Sequence, residues 1–242
     1  SLNGGRPFCF VTKNVGFFRL TRHVIKFEIT APSYQIFPGV QSLNKQIDLY
    51  FDFSSPYSYL AVARVDEVVA AYEIKVRLIP VVLGAIFNRL GWQSSPFLAQ
   101  PRKLAYMWQD VKRQANKYSL EFEQPTQFPI GSILPARIAT AFSDAPWLHD
   151  FCIQVFKAYF AHNKDISNPE TIETILKQMN LDPLEILPRA SSQETKDRLK
   201  LITEQADGLQ IFGAPSFIVH DQLFWGDDRL EDAIEFCLRG EN

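Results

Sequence analysis

The sequence predicts an α/β protein whose elements run β-α-β, then a long helical block, then α-β-β-α. Three observations predict this order. A strand-like run meets a proline that opens a helix, a second apolar strand follows, and a hairpin with a helix closes the chain. Without the helical block the remainder forms one layered α/β structure. We therefore expect an all-helical domain, 84–189, inserted after the second strand of a domain made of 47–83 and 190–242.

The first 46 residues differ from the rest of the chain. They carry six basic residues against a single acid, Glu28. Glycines and prolines such as Gly4, Pro32 and Pro38 argue against a long helix. The segment lacks the apolar core of a secretory signal. A transit peptide, a strand-forming extension and additional upstream sequence stay open as its interpretations. We assign no function to 1–46.

Composition places the chain among ordinary globular proteins. Its 242 residues are 46% hydrophobic and 21% charged, with a formal net charge of −2. We therefore expect neither a nucleic-acid partner nor an anionic membrane surface. No apolar run reaches the roughly 18 residues that a membrane span needs.

Cysteines and histidines indicate neither a disulfide scaffold nor a metal site. The three cysteines, Cys9, Cys152 and Cys237, are far apart and lack the C-x-x-C spacing of zinc sites and dithiol centres. A reducing, cytoplasmic location is expected. The four histidines, each expected at the surface or in a loop, are His23, His149, His162 and His220.

The first strand-to-helix junction is the most informative stretch. Apolar and polar residues alternate over 47–53, which is typical of a strand. Pro56 fits the first helical position, where its missing N–H is not needed. Ser55 therefore lies at a helix N-terminus, which favours an anion. An ordinary N-cap, with the hydroxyl accepting from the N–H near Ser58, is the alternative.

Later elements follow from similar patterns. The helix after Ser55 is predicted to place Ala61, Val65, Val68 and Tyr72 on its apolar face, with Arg64 off that face. A second, parallel strand is predicted over 74–82. The block after it is read as helical with a loop at 123–135.

The C-terminal part returns to strands and ends in a helix. Residues 216–219 and 223–225, joined by a turn at 220–222, predict a β-hairpin. Asp228, with Glu231 three residues on, predicts a capping box at the start of the last helix.

Four stretches between residues 47 and 238 carry a family resemblance. They read FDFSSPYSYLA, PVVLGAIFNRLG, AYFAHNKDIS and FGAPSFIV…FWGDDRL. In this order they resemble the 2-hydroxychromene-2-carboxylate isomerase family, a glutathione-dependent branch of the DsbA-like proteins close to the kappa-class glutathione transferases. The resemblance implies a thioredoxin-like fold with a helical insertion, glutathione as cofactor, a small-molecule substrate and a homodimer.

The resemblance gives Ser55 a catalytic role. Dithiol relatives carry C-x-x-C at this turn, whereas this chain has Ser55–Pro56–Tyr57–Ser58 and no sulfur for disulfide exchange. In the family, glutathione supplies the thiol. A charge-assisted bond from Ser55 Oγ contributes about 1.5–3 kcal/mol and the helix N-terminus about 0.3–2 kcal/mol. Together they would lower the thiol pKa by about one to three units.

Other glutathione contacts are implied at the far end of the chain. The Ala214–Pro215 bond is expected to be cis, with Ala214 offering its backbone N–H and C=O to the bound peptide. Asp228 is expected to hold the γ-glutamyl end. Asp227 is the weaker contact, because a second carboxylate would repel that end unless it points away.

The helical block departs from the family pattern in its ligand contacts. Trp92 stands where relatives usually carry an Asn, and its indole N–H is a candidate replacement. Lys103 matches a basic family position that meets the glycyl carboxylate, with a solvated surface lysine as the alternative. Candidate residues of the substrate pocket are Tyr57, Tyr106 and Trp108.

The resemblance implies a glutathione-dependent isomerase acting on 2-hydroxychromene-2-carboxylate or a similar intermediate of aromatic degradation. Two alternatives stay open. One is a kappa-class-like glutathione transferase or peroxidase that uses the same thiolate. The other is a non-catalytic thioredoxin-fold binding protein in which Ser55 is only a helix cap.

Overall fold

A computed structural model describes residues 14–16, 27–29 and 45–240. The chain divides into two compact units, 1–43 and 44–242. Most of the basic N-terminal segment, with Cys9 and His23, lies outside the described residues.

Two short strands are described in the first unit. Strands β1 (Asn14–Gly16) and β2 (Phe27–Ile29) pair antiparallel.

The second unit contains a four-stranded mixed sheet. Its strands are β3 (Gln46–Phe51), β4 (Lys75–Pro80), β5 (Ser216–Val219) and β6 (Gln222–Trp225). The strand order is β4-β3-β5-β6. β3 pairs parallel with β4 and antiparallel with β5, and β5 pairs antiparallel with β6. The predicted β-α-β unit and the C-terminal hairpin are thus confirmed.

Helices cover both faces of this sheet. They are α1 (Pro56–Val69), α2 (Leu83–Arg89), α3 (Pro101–Lys117), α4 (Ile133–Ala141), α5 (Leu148–Phe160), α6 (Pro169–Gln178), α7 (Pro183–Ser191), α8 (Gln193–Gly208) and α9 (Leu230–Arg239). Alternate residues of β3 point to opposite faces. Leu49 and Phe51 join the large core with α1, α5 and α9, whereas Tyr50 joins a smaller core with Ile86 of α2 and Ala206 of α8. Both faces of the strand are buried in consequence.

The start of α1 and the burial of Ala61 and Val65 match the prediction, but the placement of Arg64 does not. Pro56 occupies the first turn and Ser55 is the N-cap. Arg64, predicted off the apolar face, is only 6% exposed. Tyr72 lies beyond the helix end and is 42% exposed. The helix buries a guanidinium because acidic residues from a distant turn surround it, as described below.

Element boundaries were less well predicted than element types. The predicted strand over 74–82 ends at Pro80, and the predicted loop over 123–135 ends at Ser132. Pro135 lies in the first turn of α4, where a missing N–H is tolerated. Whether 84–189 forms a separate domain stays a prediction, because the second unit is compact as a whole.

One of the histidines links two helices. His149 lies on α5 and is only partly exposed. Its Nε2 lies 2.8 Å from Val62 O, and its Nδ1 pairs with the Asp66 carboxylate. Helices α1 and α5 are therefore linked by a polar contact as well as by apolar packing. Within the described chain, no helix is both long and apolar enough to cross a bilayer.

Candidate active site at the start of helix α1

Ser55 makes two hydrogen bonds through one hydroxyl. Its Oγ accepts from Ser58 N at 3.2 Å, which is the predicted N-cap bond. The same hydroxyl donates to Ala214 O at 2.8 Å. Because the cap uses the lone pairs and leaves the proton free for another acceptor, an N-cap role and a donor role do not exclude each other.

The loop before β5 supplies the acceptor for Ser55. The Ala214–Pro215 peptide bond is cis, as predicted. Pro215 O accepts from Gly226 N at 3.0 Å, which joins this loop to the turn after β6. A Cβ on Gly213 would lie 2.4 Å from Trp225 Nε1, so only glycine allows the indole to pack there. The loop is thus held on both sides.

The turn after β6 presents Asp228 to solvent. A 3-10 turn covers Asp227–Arg229, and α9 begins at Leu230. The predicted capping box is wrong, because neither helix start has a side-chain cap. The Asp228 side chain is 70% exposed and pairs with Arg229 at 2.8 Å. This carboxylate is exposed, so a ligand at this turn can reach it.

Asp227 points the other way. Its side chain is 3% exposed and accepts from Arg64 Nε at 3.1 Å, while Arg64 Nη2 donates to Asp227 O at 2.6 Å. Burial raises the pKa of the Asp227 carboxyl, and the Arg64 guanidinium opposes that rise. The carboxylate therefore faces the protein interior.

Arg64 completes a cluster that sequence reasoning missed. Its Nη1 pairs with Glu231 at 2.5 Å, and its guanidinium carbon lies 4.5 Å from the Tyr118 ring centroid. This pairing lowers the pKa of Glu231 against the opposing effect of burial. Arg64 joins α1, the 3-10 turn, α9 and the end of α3. The sequence signal was a lone arginine on a helix with apolar neighbours, which amphipathicity alone assigns to solvent.

Asp52 is a second residue that sequence reasoning missed. Its Oδ1 accepts from Ser54 N at 2.7 Å and from Ser132 Oγ at 3.0 Å, and its Oδ2 accepts from Leu83 N at 2.8 Å. Complete burial raises the pKa of this carboxyl. Asp52 links the turn before α1 to the starts of α2 and α4, so it holds the backbone that carries Ser55.

Tyr57 connects the turn to the helical block. Its hydroxyl donates to Asp110 Oδ2 at 3.0 Å. Burial raises the pKa of the phenol far above its usual value, and Asp110, Tyr106 and Asp228 raise it further. Tyr57 is therefore within electrostatic reach of α3 and of the exposed Asp228, and it stays protonated at neutral pH.

The remaining predicted ligand residues divide into exposed and buried groups. Trp92 and Tyr106 are 40% and 59% exposed. Lys103 Nζ lies 5.5 Å from the Phe97 ring centroid. Their contacts with glutathione or substrate stay predictions. Trp108 is only 8% exposed and packs in the core, with its ring 4.8 Å from Phe128.

The described cysteines do not supply a reactive thiolate. Cys152 and Cys237 are free and buried, and burial raises the pKa of both thiols. Among the described residues there is also no cluster of three or more His, Cys, Asp or Glu side chains that could hold a metal ion.

Comparison with known proteins shows the family to which the chain belongs. The family model described as a DSBA-like thioredoxin domain matches residues 46–235, and the chain belongs to that family. Within it, the chain is 25% identical over 206 residues to glutathione S-transferase kappa 2 of Caenorhabditis elegans, covering 79% of this chain and 91% of the relative.

A second group of relatives carries the name predicted from the motifs. The chain is 24% identical over 196 residues to 2-hydroxychromene-2-carboxylate isomerase of Sphingobium xenophagum, covering 81% of this chain and 100% of the relative. A solved structure of a 2-hydroxychromene-2-carboxylate isomerase superposes with a TM-score of 0.72 at 23% identity, over 80% of this chain and 96% of that one. The predicted thioredoxin-like fold and family resemblance are confirmed.

Proposed function

We propose that the protein binds glutathione at the start of α1 and isomerises a 2-hydroxychromene-2-carboxylate or a related aromatic-degradation intermediate. The observation that carries this proposal is the position of Ser55 Oγ, at the α1 N-terminus and 2.8 Å from Ala214 O. A thioredoxin-like fold with oxygen at both Ser55 and Ser58 needs an external thiol. Relatives named as kappa glutathione transferases support glutathione as that thiol.

The described residues fit the groups of glutathione. The N-terminus of α1 and the Ser55 hydroxyl suit a thiolate. Ala214 O suits a peptide N–H. The exposed Asp228 carboxylate suits the γ-glutamyl ammonium, and Asp227, turned inward to Arg64, does not oppose it. Asp227 therefore does not produce the repulsion of the γ-glutamyl end that the sequence alone suggested.

The Ser55 proton has two competing acceptors in this proposal. The hydroxyl has one proton, which goes to Ala214 O in the described structure. Ala214 O is also the carbonyl that this class of fold offers to a bound peptide. Ala214 O has two lone pairs, so a ligand N–H can share this carbonyl with Ser55. When the bound thiol ionises, Ser55 turns its one proton from Ala214 O to the thiolate and gives up the neutral bond.

The protein side of the chemistry is charge stabilisation and positioning. Bound glutathione would supply a thiolate able to add reversibly to a conjugated carbon of the substrate. Ser55 and the α1 N-terminus hold the negative charge, and Asp52 fixes the turn that presents them. Tyr57, kept protonated and bonded to Asp110, borders the same turn.

The direct test measures binding and turnover on one preparation. We expect glutathione to bind in a calorimetric titration, and we expect 2-hydroxychromene-2-carboxylate to be converted to its isomer only when glutathione is present. Glutathione should be recovered unchanged after many turnovers. Absence of binding at millimolar glutathione would refute the proposal and favour the non-catalytic binding protein.

Kappa-class glutathione transfer is the second candidate, because kappa relatives match as well as the isomerases do. The same preparation is assayed with a conjugation substrate and with a hydroperoxide. A stable glutathione adduct or peroxide turnover, without isomerised product, would establish this candidate in place of the first.

A further inference from the structure

A second pocket lies between helices α2, α4 and α8. Its volume is about 210 Å³, and four basic residues line it: Arg89, Arg137, Lys196 and Lys200. The rest of the lining is Val82, Ala85, Ile133, Leu199 and Thr203. None of these residues is among those predicted to bind glutathione or substrate at Ser55.

Helical spacing brings these cations together. Lys196 and Lys200 are four residues apart on α8, and Arg137 follows Ile133 by four residues on α4, so each pair shares one helix face. Thr203 Oγ1 accepts from Val82 N at 3.3 Å, which joins α8 to the start of α2. The pocket wall is therefore fixed by a hydrogen bond between helices.

The positive charge in this pocket is only partly balanced by the protein. Arg89 pairs with Glu204 at 3.0 Å and Asp207 at 3.1 Å. Within the described residues, by contrast, Arg137, Lys196 and Lys200 form no ion pair. Like charges around one cavity repel each other and lower stability.

Arg137 also has a buried donor without a partner among the described residues, which costs stability. Its Nε is buried and has no hydrogen-bond partner in the described part of the chain. A buried donor without a partner destabilises a fold and calls for an explanation in function. An anion held by the rest of the guanidinium would offset part of the positive charge of Arg137 and the two lysines.

We infer that this pocket binds a small organic oxyanion with an apolar body about the size of one ring. Arg137 presents a planar fork suited to carboxylate or phosphate, and the lysines add charge around it. Val82, Ile133 and Leu199 offer aliphatic surface to the body. A cavity of about 150 Å³ with apolar walls holds benzene, so a pocket of about 210 Å³ holds a ring with its acidic group.

The test uses benzoate and phenyl phosphate in calorimetric titrations of the full chain at low salt. We expect at least one to bind with millimolar affinity or better, and binding to weaken as salt rises. Tighter binding of benzoate identifies a carboxylate site, and tighter binding of phenyl phosphate a phosphate site. Benzyl alcohol, which has the ring without the charge, should bind at least about tenfold more weakly.

Variants show whether the bound anion occupies this pocket. Arg137→Gln should weaken binding by about tenfold or more. If Arg137→Gln does not fold, the double variant Lys196→Gln with Lys200→Gln is used instead, since Lys196 is partly exposed and Lys200 is exposed. Lys112→Gln, which removes the same charge from an exposed site on α3, should bind as the wild type does.

Several results would overturn the inference. They are an absence of binding at about 10 mM ligand and low salt, wild-type affinity in both pocket variants, and equal binding of benzyl alcohol. Competition by saturating glutathione would also overturn it, because the anion would then occupy the Ser55 site. Ser55→Ala should leave anion binding unchanged, so failure of the proposed enzyme function would not by itself count against this pocket.

Discussion

Replacing Ser55 by alanine tests the proposed chemistry most directly. The change removes one hydroxyl that makes two hydrogen bonds, at 3.2 Å from Ser58 N and 2.8 Å from Ala214 O. Ser54→Ala is the matched control. It deletes the neighbouring hydroxyl, which accepts from Ile130 N at 3.3 Å and takes no part in the proposed thiolate contact.

The expected change in the pKa of the bound thiol follows from the difference in free energy between two hydrogen bonds. A charge-assisted bond to a thiolate contributes about 1.5–3 kcal/mol, and the neutral bond given up to form it contributes about 0.5–1.5 kcal/mol. The difference of roughly 1–1.5 kcal/mol corresponds to about one pKa unit. Because the α1 N-terminus remains in the variant, we expect Ser55→Ala to raise the pKa of bound glutathione by about one unit only.

The variant should also be less stable. Loss of the N-cap costs about 0.5–2 kcal/mol, and Ala214 O loses its buried donor. Denaturant unfolding measures this loss, and binding experiments should therefore be run well below the midpoint. Ser54→Ala should lose less stability and leave the thiol pKa unchanged.

The assay is the ultraviolet absorbance of bound thiolate as a function of pH, at saturating glutathione. Turnover against pH at the same saturation gives a second measure of the pKa. The same apparent pKa in the wild type and in Ser55→Ala, with glutathione bound to both, would refute the proposed role of the hydroxyl. Equal shifts in Ser54→Ala and Ser55→Ala would show that the effect comes from the turn and not from the hydroxyl.

Three further predictions concern residues around the site. Asp228→Asn should raise the KM for glutathione by about tenfold with little change in unfolding free energy, since its carboxylate is exposed; an unchanged KM argues against this contact. Arg64→Met should cost about 3–5 kcal/mol in urea unfolding, because it leaves the buried Asp227 without its counter-ion; a loss under about 1 kcal/mol contradicts the cluster. His149 has a pKa raised above 6.5, since its bonds to Asp66 and Val62 outweigh burial. The stabilisation that the protonated His149 gives the fold should be complete below about pH 6.5 and should fall as pH rises through the folded pKa. The difference in unfolding free energy between wild type and His149→Gln should therefore narrow from about pH 6 to about pH 8.

Local elements of the fold could be predicted because their signals lie within a few residues. Pro56 after an alternating apolar run marks the start of α1. The hairpin of β5 and β6 follows from two apolar runs around a short turn. Element boundaries were harder to predict, because a proline can stand at the end of an element, as Pro80 does, or within the first turn of a helix, as Pro135 does. Tertiary packing selects among those positions.

The candidate site was predicted in part, and its failures have a common cause. Ser55 and the cis bond at Pro215 were identified from motifs. The capping role of Asp228 was wrong because Glu231, its predicted partner, pairs with Arg64. Asp52 was treated only as a polar position of a strand. In each case the missing information was a partner far away in the sequence.

By itself, then, the sequence determined the order of elements, the hydroxyl in place of sulfur at Ser55 and the family to which the chain belongs. Only the tertiary structure decided where the protons and charges go. The Ser55 proton goes to a carbonyl 159 residues away, and Arg64 meets a carboxylate 163 residues away. Helix and strand propensities depend on neighbours in the chain, whereas hydrogen bonds and ion pairs depend on distance in space.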